Sequence, residues 1–418
     1  MATPSLAMIP SAYADSKVYS VLPNNGDGDF TFNRDSSATR VGSNGLIQTV
    51  GFFGSELILS TMINTSYNTF NEASSSGFHA INTAGTSQRA GTVDEIIFVT
   101  GKIYTVNIDV SVVSGNAPFF RARQDISTSP TLFSGQLTDG NNVITFTSTD
   151  TLTGVLEFSN TAAAEYRVSN VSIKEVTGDQ PRLNYDISNG VVQSCPSLLL
   201  EPASTNLITY SEDFSQSDWS KNSITVESNA IISPDGTQNA DKITKSASNA
   251  LIRQFIATTG ANTFSVYVKK GSLYWVRLYI ASSTESAECW FDLENGLTGF
   301  TSGNPESVEI VSLSNGWYKC IITKNTTDIT NFRIYPSQAD DDTSGTSGDI
   351  YIYGAQVETL SYATSYIPTN GAIQTRAAET CFGAGTVSTF SDSEGVLYVE
   401  VAALANDGTS RQISLSDG

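Results

Sequence analysis

Chemistry needs groups that exchange protons, attack, coordinate or stack, and this sequence offers few of them in usable patterns. The single histidine, His79, sits in a Ser/Gly-rich stretch read as a loop. A Ser–His–Asp or Cys–His site would have to use it, and nothing around it reads as a nucleophile elbow. Cys195, Cys289, Cys320 and Cys381 form no CxxC pair and no zinc spacing. Cys289 and Cys320 fall in one expected domain and are read as buried thiols, with a bridge across that domain as the alternative. There is no HExxH and no phosphate loop. No catalytic residue is assigned and the chain is read as a non-enzyme. With 42 Asp and Glu residues, a glycosidase-type carboxylate pair stays open, but none sits in a recognisable context.

Two stretches could bind rather than react. In "LYWVRLYI", Tyr274, Val276, Leu278 and Ile280 alternate with Trp275, Arg277 and Tyr279. The first set reads as core. The second puts an indole, a guanidinium and a phenol on the opposite face of one strand, which suits stacking on sugar rings and bonding to hydroxyls. The alternative packs Trp275 and Tyr279 under a loop and pairs Arg277 with a carboxylate. Trp219, Trp290 and Trp317 read as core anchors. In "ADDDTSGTSGD", Asp340, Asp341, Asp342 and Asp349 supply hard oxygens of the kind calcium takes. The alternative is an acidic solvated loop.

The elements that must position these residues are strands. "IYTVNIDVSV" places Tyr104, Val106, Ile108, Val110 and Val112 on one face, a period of two. "VITFT", "GVLEF", "EYRVSNVSIKEV", "TFSVYVKK", "ECWFDL", "GWYKCIIT", "NFRIYP" and "DIYIYGAQVE" follow the same logic, separated by Gly, Asn, Asp, Ser and Pro. No stretch carries sustained helical periodicity. Many short strands between turns predict an all-β chain of sandwiches or barrels. Its 418 residues allow two to four domains, and 39% hydrophobic content is that of a folded chain. A net charge of -20 repels phosphates and anionic membranes, so neither nucleic acid nor membrane insertion is expected. No apolar run reaches spanning length, and the N-terminus lacks the pattern of a secretory signal.

One phrase recurs: "SNGLIQT" from Ser43, "SNGVVQS" from Ser188 and "TNGAIQT" from Thr369. Asn-Gly supplies the positive φ of a tight turn, and two apolar residues then open a short strand. The long, unequal gaps fit whole domains joined by a reused connector, with Asn44–Gly45, Asn189–Gly190 and Asn370–Gly371 in equivalent turns at domain boundaries. The expected map is an N-terminal arm and connector at 1–49, a first jelly roll at 50–178, a connector at 179–200, a second jelly roll at 201–366, a third connector at 367–379 and an incomplete sandwich at 380–418.

"FTFNRDSSATRVGSNGLIQTV", "PRLNYD", "SCPSLLLEPASTNLITYSEDFSQSDWSK", "SPDGTQNADKIT" and "GAQVETLSYATSYIPTNGAIQTRAAE" resemble bacteriophage virion proteins of the tail-fibre, tail-spike or appendage type. The segments between resemble carbohydrate-binding-module jelly rolls, the first more weakly because it lacks the "EDFSQSDW" opening and any tryptophan. "GVLYVEVAAL" is similar to the first strand of a concanavalin/laminin-G sandwich. The resemblance implies tandem jelly-roll sandwiches, an extended N-terminal arm that attaches to other virion proteins, host-surface glycans as ligands and a homotrimer. It implies a virion location, tail or surface appendage, with synthesis in the host cytoplasm and release by lysis. It also makes Asp349 the candidate for a structural calcium; apart from that candidate no cofactor is expected. A spacer role without glycan binding and a polysaccharide-degrading spike are the alternatives.

Overall fold

Alternation of apolar and polar side chains builds this chain, and its turns carry the glycines and asparagines. The structure, a computed structural model, describes residues 4–9, 12–51, 53–57, 59–83, 86–93, 96–126, 130–176, 179–188, 190–390 and 396–403. Two compact units form, Met1–Val50 with Asp179–Gly418, and Gly51–Gly178. No α-helix occurs among the described residues, and none is long and apolar enough to cross a membrane.

The first fifty residues hold β1 (Tyr13–Ala14), β2 (Lys17–Val18), β3 (Phe30–Asn33), β4 (Ala38–Val41) and β5 (Ile47–Val50). Expected as an extended arm, they instead make hairpins. β1, β2 and β3 form one sheet, and β4 pairs with β5.

The second unit runs through β6 (Phe53–Glu56), β7 (Ile63–Asn64), β8 (Thr69–Asn71), β9 (Phe78–Asn82), β10 (Gln88–Gly91) and β11 (Ile96–Phe98). It continues through β12 (Ile103–Ser114), β13 (Phe119–Arg123), β14 (Thr131–Gln136), β15 (Gly140–Thr147), β16 (Leu152–Asn160) and β17 (Ala164–Val176). One sheet has the order β15-β12-β17-β9-β8 and the other β14-β13-β16-β10-β7. Tyr104, Val106, Ile108 and Val110 of β12 enter a core with Phe120, Leu156, Phe158 and Tyr166. The chain alternates between the two sheets, which makes this a jelly-roll sandwich.

The first unit resumes with β18 (Arg182–Asn184), β19 (Ile187–Ser188), β20 (Val191–Val192), β21 (Ser197–Leu199), β22 (Ser204–Asn206), β23 (Ser220–Asn222), β24 (Ile224–Ile231), β25 (Ala240–Lys245), β26 (Leu251–Gln254) and β27 (Thr258–Lys270). It ends with β28 (Trp275–Ser282), β29 (Ala287–Asp292), β30 (Leu297–Ser302), β31 (Ser307–Ser312), β32 (Trp317–Ser337), β33 (Gly348–Glu358), β34 (Gln374–Arg376) and β35 (Thr380–Phe382). β32 is the corner. Its first half pairs with β27 and β31, and its second half with β26 and β28. Two layers result, β24-β25-β33-β27-β32 and β30-β29-β28-β32-β26-β23. Their inner faces meet in a core of Ile243, Phe264, Val276, Leu278, Ile280, Phe291, Phe332 and Ile352. The two five-strand paths of the second unit recur here in the same order, with β32 taking the places of both β15 and β16; β30 and β31 are additions of this unit, and β6 and β11 of the other.

The repeated phrases behave less uniformly than expected. Gly45, Gly190 and Gly371 all have positive φ, at 74°, 74° and 87°, which is what glycine allows. The first phrase closes the β4–β5 hairpin and the second the two-residue β19–β20 hairpin. The third closes no hairpin: Asn370 bridges to Tyr210, and β34 then pairs with β22. Asn189 lies outside the described residues. The segments mapped as an arm and connectors belong to the same unit as 201–366, because they pack on one another: a side chain at Gly45 would meet Val192 and Ser314. Of "GVLYVEVAAL", Gly395 and Leu404 lie outside the described residues, and 396–403 pair with no strand. No described neighbour offers that stretch an edge.

A buried ion cluster fastens these segments. The side chains of Arg34, Arg182, Arg376, Glu201 and Glu379 are 0–1% exposed. Glu379 accepts from Arg34 Nη1 at 2.9 Å, from Arg182 Nε at 2.7 Å and from the Glu201 backbone N–H at 2.9 Å. Glu201 pairs with Arg182 at 2.8 Å and with Arg376 at 3.0 Å. Burial pushes the Glu201 carboxyl up, but Arg182 and Arg376 outweigh it and hold the group below the usual carboxylate range. Each buried charge therefore has a counter-charge and further donors or acceptors, the condition under which such a cluster is tolerated. A smaller core of Ile47, Trp317, Tyr353 and Tyr366 lies within the same unit.

Candidate functional site

The outer face of β28 carries Trp275, Arg277 and Tyr279, because the inward positions Val276, Leu278 and Ile280 are fully buried. Tyr274, expected as core, precedes the strand and is 47% exposed. The three side chains share their face with neighbours in register. Arg277 lies opposite Tyr335 and Trp290, and Tyr279 opposite Arg333 and Glu288. Arg277 is 8% exposed. Its guanidinium sits 3.6 Å from the Tyr335 ring centroid and 5.0 Å from that of Trp290, with Nη1 3.4 Å from Glu288. Arg333 stacks 4.9 Å from Tyr279 and donates to Asn331 Oδ1 at 2.5 Å and Tyr335 Oη at 3.2 Å. Arg277 is thus a clamped hub, while Trp275 and Tyr279 are half-buried.

Sequence reading missed Arg333, Tyr335 and Trp290 as members of this face. "NFRIYP" alternates Asn331, Arg333 and Tyr335 with buried Phe332 and Ile334, so the signal was present. Trp290, expected in the core, is buried in the outer layer, with the Phe300 ring 5.8 Å away. Its Nε1 has no hydrogen-bond partner. Trp219 joins the core and Trp317 its smaller neighbour.

The aspartates do not converge. Asp340 accepts the Phe300 N–H at 2.7 Å, and Asp349 the Ser272 hydroxyl at 2.8 Å. Asp342 accepts the Ser344 hydroxyl and N–H at 2.7 and 2.9 Å, and the hydroxyl bond holds its carboxyl below the usual range. Asp341 has φ of 53°. Each bonded carboxylate is turned to a different donor, Asp342's next to it in the chain and the other two far from it. Among the described residues no three His, Cys, Asp or Glu side chains gather for a metal.

His79 lies in β9, not in a loop. Its Nδ1 is 2.8 Å from Asn71 Oδ1 and its Nε2 3.0 Å from Glu165. All four cysteines are free. Burial pushes the Cys289 thiol up to about 12 and raises Cys320 well above its ordinary value, so neither is a thiolate nucleophile.

A polar cavity of about 280 Å³ opens elsewhere in the first unit, lined by Tyr210, Glu212, Asp213, Asn239, Asp241 and Asn370 among others. Asp241 accepts the Phe214 and Asn229 N–H groups, each at 2.9 Å, yet burial pushes its carboxyl up to about 6. Glu212 accepts the hydroxyls of Tyr353 and Tyr366, each at 3.0 Å, and burial raises it as well. "YSEDFSQSDW" and "QNADKIT" carry these acids, but nothing in their local spacing announces that they meet.

No protein-family model matches the sequence, and no curated protein does. Among solved structures, the chain is similar to the N-terminal tandem CBM22 domain of a Paenibacillus barcinonensis protein, at 12% identity and a TM-score of 0.26, covering 73% of this chain and 99% of that one. It is similar to the infectious bursal disease virus Gx strain structure at 9% identity and a TM-score of 0.17, covering 91% and 80%. A third likeness is to procruciferin, the 11S globulin of Brassica napus, at 11% identity and a TM-score of 0.11, covering 73% and 88%.

Proposed function

We propose that this chain is a structural protein of a bacteriophage particle, a tail fibre or tail-associated adaptor, that presents glycan-binding jelly rolls to the host surface. The observation that carries the binding part is the outer face of β28, β29 and β32. Trp275 and Tyr279 are its half-buried rings, packed beside Arg333 and over the buried Arg277, Tyr335 and Trp290, and accessible flat rings beside bonding groups are what sugar recognition needs. Support for the particle comes from the sequence resemblance alone. Attachment through the N-terminal segment and assembly as a homotrimer belong to the same reading.

A glycan array tests the binding. Wild type should bind a subset of host-surface glycans, and a Trp275→Ala, Tyr279→Ala double variant should lose at least tenfold in affinity. Absence of binding by wild type would leave the spacer role in its place. Cleavage of a polysaccharide is the second reading, favoured by the cavity with Glu212 and Asp241. A carboxyl raised by burial is suited to act as a general acid. Release of reducing sugar from host polysaccharide, lost in Glu212→Gln, would establish that reading over the first.

A further inference from the structure

The two units share their strand order, so positions on their outer faces can be compared. β10 matches β26, β13 matches β28, and β16 matches the second half of β32. These strands carry Arg89, Arg121 and Arg123 in one unit and Arg253, Arg277 and Arg333 in the other. All six point away from the cores, since Ala90, Phe120, Ala122, Ile252, Val276, Leu278 and Ile334 between them are buried. The whole chain has only 22 Lys and Arg against 42 Asp and Glu, which makes this repeated concentration of arginine notable.

Arg277 has Glu288 at 3.4 Å, and in the second unit one carboxylate is shared by all three arginines. In the second unit Glu157, itself fully buried, takes Arg121 Nη1 at 2.8 Å and Arg123 Nη1 at 2.8 Å, with Arg89 Nε at 3.9 Å. The Arg89 and Arg121 side chains remain 35% and 28% exposed. In the first unit Arg253 stands directly opposite Arg333 across two strands, a like-charge pairing that destabilises a sheet. The buried Nε of Arg253 has no partner. Rings fix the guanidinium groups in place: Arg121 lies 4.5 Å from Phe119, Arg253 4.5 Å from Phe255 and Arg333 4.9 Å from Tyr279. Arg333 commits Nε and Nη1 to Asn331 and Tyr335, and Arg121 commits Nη1 to Glu157 and Ser159, so a planar anion would be met by the remaining N–H groups and by Arg253 Nε.

We infer that the matching outer faces of both units bind an acidic polysaccharide through its carboxylate or sulfate groups. The inference rests on the glycan-binding reading above and narrows its ligand class. The anion offsets the opposed arginines, and the neighbouring rings take the sugar.

Affinity electrophoresis of the full chain tests this, in gels holding polygalacturonate, dextran sulfate or neutral dextran at 0.15 M salt. There the Debye length is about 8 Å, so the overall negative charge is screened from the face. Retardation by polygalacturonate or dextran sulfate but not by dextran is expected, and the two polymers separate carboxylate from sulfate recognition. Arg121→Gln and Arg333→Gln should each weaken retardation several-fold, and together abolish it. Arg167→Gln, on the other sheet of the second unit and paired to exposed Glu72, should change nothing. If Arg333→Gln lowers the melting temperature, Arg253→Gln replaces it. Equal retardation by neutral dextran overturns the acidic-ligand inference and leaves the glycan reading standing. Retardation by the acidic polymers that survives both substitutions overturns the assignment to these faces. No retardation by either acidic polymer, alongside glycan-array binding of neutral sugars, overturns the inference alone.

Discussion

Glu379 accepts hydrogen bonds from two buried arginines, one 345 and the other 197 residues earlier in the chain. Replacing it with Gln keeps the shape and removes the charge, which leaves Arg34 and Arg182 under-compensated in a dry site. Breaking such a buried set costs about 3–5 kcal/mol, so Glu379→Gln should lower the urea midpoint of the first unit's unfolding. An unchanged midpoint would mean that the cluster adds nothing net. None of this was legible in the sequence. Asn-Gly turns recur with their neighbours, so the phrases around Asn44 and Asn370 stood out. The arginines lie at no fixed offset from those turns, and the acids they meet come from elsewhere. Long-range pairing leaves no local period, and the same is true of Glu212 and Asp241 in their cavity. Arg277 was legible as an outward residue because its strand alternates. That Trp290 of β29 and Tyr335 of β32 would meet it was not legible, although "NFRIYP" shows Tyr335 pointing outward, because register between distant strands is set by folding.

Period-two alternation identified most of the strands, and it failed where pairing partners decide. "GWYKCIIT" and "NFRIYP" read as two strands, yet they are the ends of β32, which bends from one layer into the other. "GVLYVEVAAL" alternates well, but its described residues find no edge to join. Turns between strands are tightly specified at a few points. Gly303, just after β30, has φ of 72°, and a Cβ there would lie 1.7 Å from the Ser286 carbonyl oxygen. No L-side chain fits without moving backbone. Gly303→Ala should therefore cost well over the roughly 1–2 kcal/mol that a left-handed backbone costs an L-residue, visible as a lower melting temperature. Gly101→Ala, with φ of 82° and open space around it, isolates the conformational part of that cost.

The second unit is an insertion, since the first unit owns the chain on both sides of it. Its own ends meet: Phe53 of β6 pairs with Val176 of β17. In the first unit, Arg34 bonds both the Val50 carbonyl and, through its backbone N–H, the Asp179 carboxylate, so the two sides of the gap are also close. Deleting 51–178 and joining the ends with a short Gly/Ser linker should leave the first unit folded, with a cooperative thermal transition and dispersed amide NMR signals. Loss of that transition would show that the units depend on each other. The nesting also sets an order of events on the ribosome. The inserted unit is complete once its last strand has emerged. Arg34, by contrast, must wait for Glu379, an interval of roughly 20–70 s at about 5–20 residues per second of synthesis. A chain cut short before that glutamate would carry a finished domain inside an open one, with three cations and no full set of partners, and would be exposed there to proteases. Glu379, the last member of the buried cluster to be translated, is thus the one that closes the first unit.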